Sequence, residues 1–110
     1  MEKLDYRQLI KELLKEHASY QAADRSVDFQ LIFDTENDHY QLVHLGWQGE
    51  KRIYGCPIHI DIKDGKIWIQ RDFTEAGIAQ QLVERGVPKS EIVLSFRSPF
   101  VRQFSEFAIV

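Results

Sequence analysis

RIYGCPIHIDIKDGKIWIQR, residues Arg52 to Arg71, is the stretch that decides the fold. Lys63-Asp64-Gly65-Lys66 separates two runs rich in isoleucine and aromatics. Asp-Gly accepts the positive φ angles of a tight two-residue turn, so the stretch reads as a β-hairpin. In its first arm Tyr54, Cys56, Ile58, Ile60 and Ile62 alternate with Gly55, Pro57, His59 and Asp61. In its second arm Ile67 and Ile69 alternate with Trp68 and Gln70. A period of two sends one set to an apolar face and the other to a polar one. A core and a chemically equipped surface therefore lie back to back here, and a site is first to be sought around this hairpin. Pro57 is awkward in a strand, because proline has no N–H for the ladder. A bulge near Gly55-Cys56-Pro57, where the strand changes partners from the preceding strand to the following one, resolves the difficulty.

Working outward, VDFQLIFD (Val27–Asp34) places Val27, Phe29, Leu31 and Phe33 on one face of a strand. Thr35-Glu36-Asn37-Asp38 is a turn tetrad, since Asn and Asp side chains bond their own backbone. His39–Trp47 reads as a strand with Tyr40 and Leu42 on one side and Val43, Leu45 and Trp47 on the other. Apolar residues on both sides suit a central strand or one beneath two layers. Upstream, Leu4–Tyr20 has Tyr6, Leu9, Ile10, Leu13, Leu14 and His17 at helical spacing and Lys3, Arg7, Lys11, Glu12, Lys15 and Glu16 around the rest, with Asp5 as a possible cap. Gln21–Ser26 is polar and reads as a loop. Downstream, Asp72-Phe73-Thr74-Glu75 opens a second helix capped by Asp72 or Thr74, with Ile78, Ala79, Leu82 and Val83 as its buried stripe and Gly86 as its stop. Val87–Glu91 is a turn or single-turn helix, and Ile92–Phe96 a last strand or an extended link. The expected class is α+β: an N-terminal helix, a four-stranded antiparallel meander, a second helix and an extended C-terminal tail, one domain over residues 1–110.

The tail is apolar to its end, with Phe100, Phe104, Phe107, Ile109 and Val110. Terminal segments stay polar unless they are tied down, so this one is expected to dock. The second helix covers part of the sheet and leaves Trp47 and Trp68 over. Trp47, Trp68, Phe100, Phe104 and Phe107 are therefore the candidate surface for a partner or for self-association into a homodimer or higher symmetric oligomer.

A content of 44% hydrophobic and 28% charged residues in 110 is ordinary for a soluble globular domain. The single cysteine, Cys56, excludes an internal disulfide and a multi-cysteine metal site, and its place on the apolar face suggests a buried, inert thiol. No apolar run approaches the roughly 18 residues of a membrane span, and the first residues lack the apolar core of a signal peptide. The expected location is cytoplasmic, without membrane attachment. A net charge of −3, with no Lys/Arg stripe on either helix, weighs against gripping duplex DNA directly.

Four histidines, His17, His39, His44 and His59, invite a metal reading, with Asp61 two residues after the last. His59 and Asp61 share a strand face, yet a site needs three or four converging ligands and no HxxxH or second H-x-D supplies them; the expectation is no metal. Asp61-Ile62-Lys63 resembles the D-x-K half of a restriction-type nuclease core, with Asp34 as a conceivable upstream acid. Lys63 sits beside the Asp64-Gly65 turn, a poor place for a preorganised group, and a strand end feeding a polar turn explains it better. No Gly-rich phosphate loop and no nucleophile arrangement around Cys56 is present. His59, Asp61 and Lys63 remain as a polar strand face; no catalytic residue and no cofactor is expected.

DTE-DHYQL (Asp34–Leu42), YGC-IHIDIKDGKIWIQ (Tyr54–Gln70), TE-GIA (Thr74–Ala79), GVPK-IVL (Gly86–Leu94) and RQF-FA (Arg102–Ala108) together closely resemble the XisI-like family. The family is named for the fdxN-element excision controlling factor of heterocyst-forming cyanobacteria, and the match is collinear over essentially the whole chain. Pro57, where an apolar strand residue is usual, and Phe73, where glycine is common, depart from the pattern. The resemblance implies a regulator of programmed DNA rearrangement by site-specific recombination. It would act with a companion factor, XisH, and a separate recombinase, and it carries no catalytic residues. The companion resembles a restriction-endonuclease-type fold, so an antitoxin-like role toward a nuclease-fold partner is also implied, and a direct DNA-binding accessory factor is the alternative. The expectation is a non-catalytic regulator that binds an XisH-like protein and reaches DNA only indirectly.

Overall fold

The hairpin turn forms as Asp-Gly dictates. Asp64 and Gly65 take φ angles of 53° and 74°, and Lys63 pairs with Lys66. The structure, a computed structural model, describes residues 4–21 and 26–110, so most of the loop expected over residues 21–26 lies outside the described residues. The elements are α1 (Tyr6–Gln21), β1 (Val27–Asp34), β2 (His39–Gln48), β3 (Lys51–Lys63), β4 (Lys66–Asp72), α2 (Ile78–Glu84), a 3-10 turn (Lys89–Glu91), β5 (Ile92–Leu94) and α3 (Pro99–Arg102). Among the described residues no helix is long and apolar enough to cross a membrane.

The class is α+β, with one strand more than the four-stranded meander. The sheet runs β1-β2-β3-β4-β5, antiparallel through β4, and β5 joins β4 in parallel. A parallel neighbour needs a crossover, and α2 provides it. α1 and α2 lie on one face. Ile10, Leu13 and Leu14 of α1 and Ile78 and Leu82 of α2 pack over Tyr40, Leu42, Ile58, Ile60, Ile67 and Ile69, which are buried to within 2%. Full burial of each such side chain is worth roughly 1.5–3 kcal/mol, so this one layer supplies most of the drive to fold. The helices are tied to each other by His17 Nε2 and Gln81 Oε1 at 2.8 Å and by Arg85 to Glu16 at 2.5 Å. The Tyr6 hydroxyl donates to Glu91, and the Asp5 carboxylate caps α1 by accepting from Gln8 N at 3.2 Å.

β2 lies inside the sheet, between β1 and β3, and α1 and α2 cover one side of it, so of the two readings of its apolar faces the interior strand holds. A bulge does occur where Pro57 asked for it. Leu42 pairs with Ile58 and His44 with Gly55, so Cys56 and Pro57 stand opposite Val43 alone. β3 nevertheless keeps β2 as its partner along its length and simply gains β4 from Ile58 onward. The extra residue also reverses the side-chain parity. Tyr54, placed on the apolar face by alternation, is turned out and is 74% exposed.

The second helix begins later than expected. Residues Phe73 to Ala76 form a bend, and α2 starts after Gly77, whose φ of 82° keeps it outside the helix. Asp72 still serves the helix from the end of β4: one carboxylate oxygen accepts from Ile78 N at 2.7 Å and the other from Thr74 N at 2.9 Å. Gly86, with φ of 99°, ends α2, and Val87 N donates back to Leu82 O at 3.0 Å. The tail is not extended throughout, because Ser98 caps the short α3 through a bond from Val101 N. Beyond it Ala108 pairs beside β5, bridging to Val93.

Candidate functional site

The face away from α1 and α2 carries two constellations. The first grows from cross-strand register. His39 opens β2 and pairs directly with Asp61 of β3, and Gln41 pairs with His59. Alternation puts His59 and Asp61 on the same face, so register adds His39 to the pair. Asp61 Oδ1 lies 2.8 Å from His39 Nδ1 and 2.9 Å from His59 Nε2, and the donor atoms of all three residues fall within 4.8 Å of one another. The other oxygen, Oδ2, accepts from Gln70 Nε2 at 3.2 Å, and Gln70 Oε1 accepts from Ser95 Oγ at 2.9 Å. Gln70 follows Trp68, the partner of Asp61, by two residues on the same face, and a second bulge falls at it. His59 pairs with Arg71 and Ile60 with Ile69, which leaves Gln70 unpaired and turned toward Asp61. The Asp61 side chain is 19% exposed, that of His59 31% and that of His39 53%. The hydrogen bond to Asp61 raises the His39 pKa above the ordinary imidazole value, with Asp34 and Asp38 adding to the attraction. A recess of about 410 Å³, flanked by Ile32, Asp34 and Gln41, opens over the histidines.

Lys63 does not join this group; its Nζ lies 5.2 Å from the ring centre of Trp68. Asp34 is occupied by its turn, accepting from Glu36 N at 3.1 Å and from Asn37 N and Nδ2 at 3.0 Å. The bonds from Asn37 hold its carboxyl below the usual range. Asp34, Asp61 and Lys63 thus have three separate tasks rather than one nuclease-like arrangement. His17 binds Gln81, and His44 packs edge-on against Phe29 at 6.0 Å; both border a recess of about 500 Å³ with Pro57 and Phe73. Cys56 donates to Ile58 O at 3.1 Å, and burial pushes its thiol pKa up.

The second constellation is the tail. Its anchor is Arg102, 8% exposed, whose guanidinium donates to the carbonyls of Leu94, Arg97, Ser95 and Ile109 at 2.9–3.5 Å and lies 5.8 Å from the Trp68 ring centre. The aromatic residues were the expected anchors, but only Phe107 packs against the core. Phe100 and Phe104 stack edge-to-face at 5.4 Å and stand 69% and 75% exposed, with Phe96, Val101, Ile109 and Val110 also exposed. Trp47, 54% exposed, is far from them in sequence at the β2–β3 turn, with Arg52 over its ring at 5.3 Å. Arg102 and Gln70 carry the geometry here without having been singled out from the sequence, and His39, named there among four histidines, had not been joined to Asp61. The signal that joins His39 to Asp61 is register: a short β1–β2 turn and a β2–β3 hairpin set the two level.

Comparison with known proteins bears on the whole chain. The family model described as XisI protein matches residues 1–109. A search of curated proteins gives no match. Among solved structures, a XisI-like protein from Anabaena variabilis ATCC 29413 is 48% identical over 96% of each chain, with a TM-score of 0.90. The fdxN element excision controlling factor XisI from the same organism is 34% identical, again over 96% of each chain, with a TM-score of 0.84. Sequence, fold and coverage agree, and the chain belongs to the XisI family.

Proposed function

We propose that this protein is a non-catalytic regulator of DNA-element excision that works by binding a protein partner, an XisH-like factor. Support for the process comes from the relative named as an excision controlling factor. Support for protein binding comes from one observation above all: the tail is anchored through Arg102 and yet holds Phe100 and Phe104 out in water. A contiguous exposed apolar patch on a well-anchored segment is the mark of a contact surface. The net charge of −3 agrees with a role in which DNA is reached through the partner. The same patch also serves self-association, giving a homodimer or a higher symmetric oligomer.

Co-expression with the XisH-like protein of the native host tests this directly. The intact chain is expected to co-purify with it, and a Phe100→Ser, Phe104→Ser variant of unchanged fold to lose it. Co-purification that survives this variant would remove the tail as the contact. Light scattering is expected to give a multiple of the monomer mass; a monomer at high micromolar concentration overturns the self-association. Duplex DNA retained by the pure protein, with a steep loss on adding salt, favours the direct DNA-binding alternative.

A further inference from the structure

We propose that His39, His59 and Asp61 form a binding site for a divalent first-row transition ion, for which Zn²⁺ is the best match. Two imidazole nitrogens and one carboxylate oxygen are a borderline donor set, suited to zinc and poorly suited to the hard, oxygen-seeking Mg²⁺. The three donors come from paired strands in the middle of the sheet, not from loops, so their spacing is set by the ladder. They already converge: both nitrogens point at Asp61 Oδ1 from 2.8 and 2.9 Å. An ion entering this cluster replaces the protons that the nitrogens now share with the carboxylate, and the displacement needed is small.

The surroundings are those of a ligand set rather than of a chance cluster. Asp61 is oriented from behind by Gln70, which is held in turn by Ser95, the residue after β5, so one carboxylate oxygen is fixed and the other faces the histidines. Alternation puts Gln70 on this face two residues after Trp68, and the β4 bulge takes it out of the ladder with β3. On the solvent side the recess beside Ile32 and Gln41 leaves room for a fourth ligand, a water in the isolated protein. Gln70 is a positioning residue here and touches no ion.

The full chain, stripped with a chelator, is titrated with ZnCl₂ by calorimetry and then melted with and without the ion. One zinc per chain is expected, with micromolar or tighter affinity and a rise in Tm of about 5 °C or more at saturating zinc. MgCl₂ is expected to leave the Tm unchanged. His39→Ala, on a half-exposed residue, and Asp61→Asn, which keeps the shape, are each expected to abolish the zinc heat and the Tm shift. Gln70→Ala is expected to weaken binding about tenfold or more. A His17→Ala, His44→Ala variant should bind as the intact chain does. Absence of one-to-one zinc binding in the intact chain overturns the site, and so does binding that is unaltered in His39→Ala and Asp61→Asn.

Discussion

The helical face of the sheet and its open face are made by the same strands, yet they are held by different physics. On the helical face Tyr40, Ile58, Ile60, Ile67 and Ile69 meet Ile10, Leu13, Leu14 and Leu82 with essentially no exposure. Any side chain of similar volume and polarity would serve there, because burial is non-directional. On the open face His39, His59, Asp61, Gln70 and Ser95 are linked atom to atom, and Arg102 is fixed by several backbone carbonyls. Each of those contacts depends on one donor meeting one acceptor, so no other residue type substitutes easily. One face specifies that the chain folds; the other specifies what is presented once it has.

The contrast is sharpest at Ile60. Ile60→Ala removes methyl groups from the centre of the helical layer and is expected to cost about 2–5 kcal/mol in urea unfolding. A loss below about 1 kcal/mol would mean that the layer is looser than its burial implies. The corresponding change on the other side is Arg102→Met, which keeps the stem and removes the donors that the carbonyls of Leu94, Arg97 and Ile109 now share. A loss of about 1–3 kcal/mol is expected, with protease cleavage appearing in the segment after Arg97. Stability lost without new cleavage would show that the tail has a second anchor.

How much of this could be read from residue order follows the same division. Alternation in Ile58–Ile62 and Ile67–Ile69 sufficed for the helical face, since burial needs only a period. The turn at Asp64-Gly65, the bulge at Pro57 and the ends of β1 were legible because Gly, Pro and the Asn-Asp turn residues act locally. The His39–Asp61 pair was not, because it joins residues of separate strands and depends on register. Alternation put Gln70 on the polar face, but its bond to Asp61 joins two strands and again depends on register. In the tail, hydrophobicity drew attention to Phe100 and Phe104, whereas the buried group is Arg102. A cation satisfied by main-chain carbonyls has no signature in composition.

Two smaller effects probe the boundary between the faces. Diluted until both are monomers, the Phe100→Ser, Phe104→Ser variant is expected to melt within about 2–4 °C of the intact protein, because in the single chain its rings are mostly in water. A larger drop would place them against something in the folded assembly. Cys56 lies in the bulge where the faces exchange parity, and burial raises its pKa above the ordinary thiol value. Because the thiolate is the reactive form, labelling at neutral pH is expected to be slower than for free cysteine, and to speed up on raising the pH past the usual thiol range. Labelling as fast as the free amino acid would mean that the bulge opens readily.

The two borders of the sheet are unequal, and that limits how copies could join by strand addition. Ala108 closes β5 with a bond from its N–H to Ile92 O at 2.9 Å, while no described strand pairs with the far side of β1. A border that is sealed at one end and bare at the other cannot propagate head to tail, because the growing end always meets a sealed one. Two bare borders can only meet each other, about a two-fold axis, and the pair then has nothing left to offer. The short bridge at Ala108 thus acts as a stopper to strand addition: by that route a closed dimer along β1 forms and no open array does.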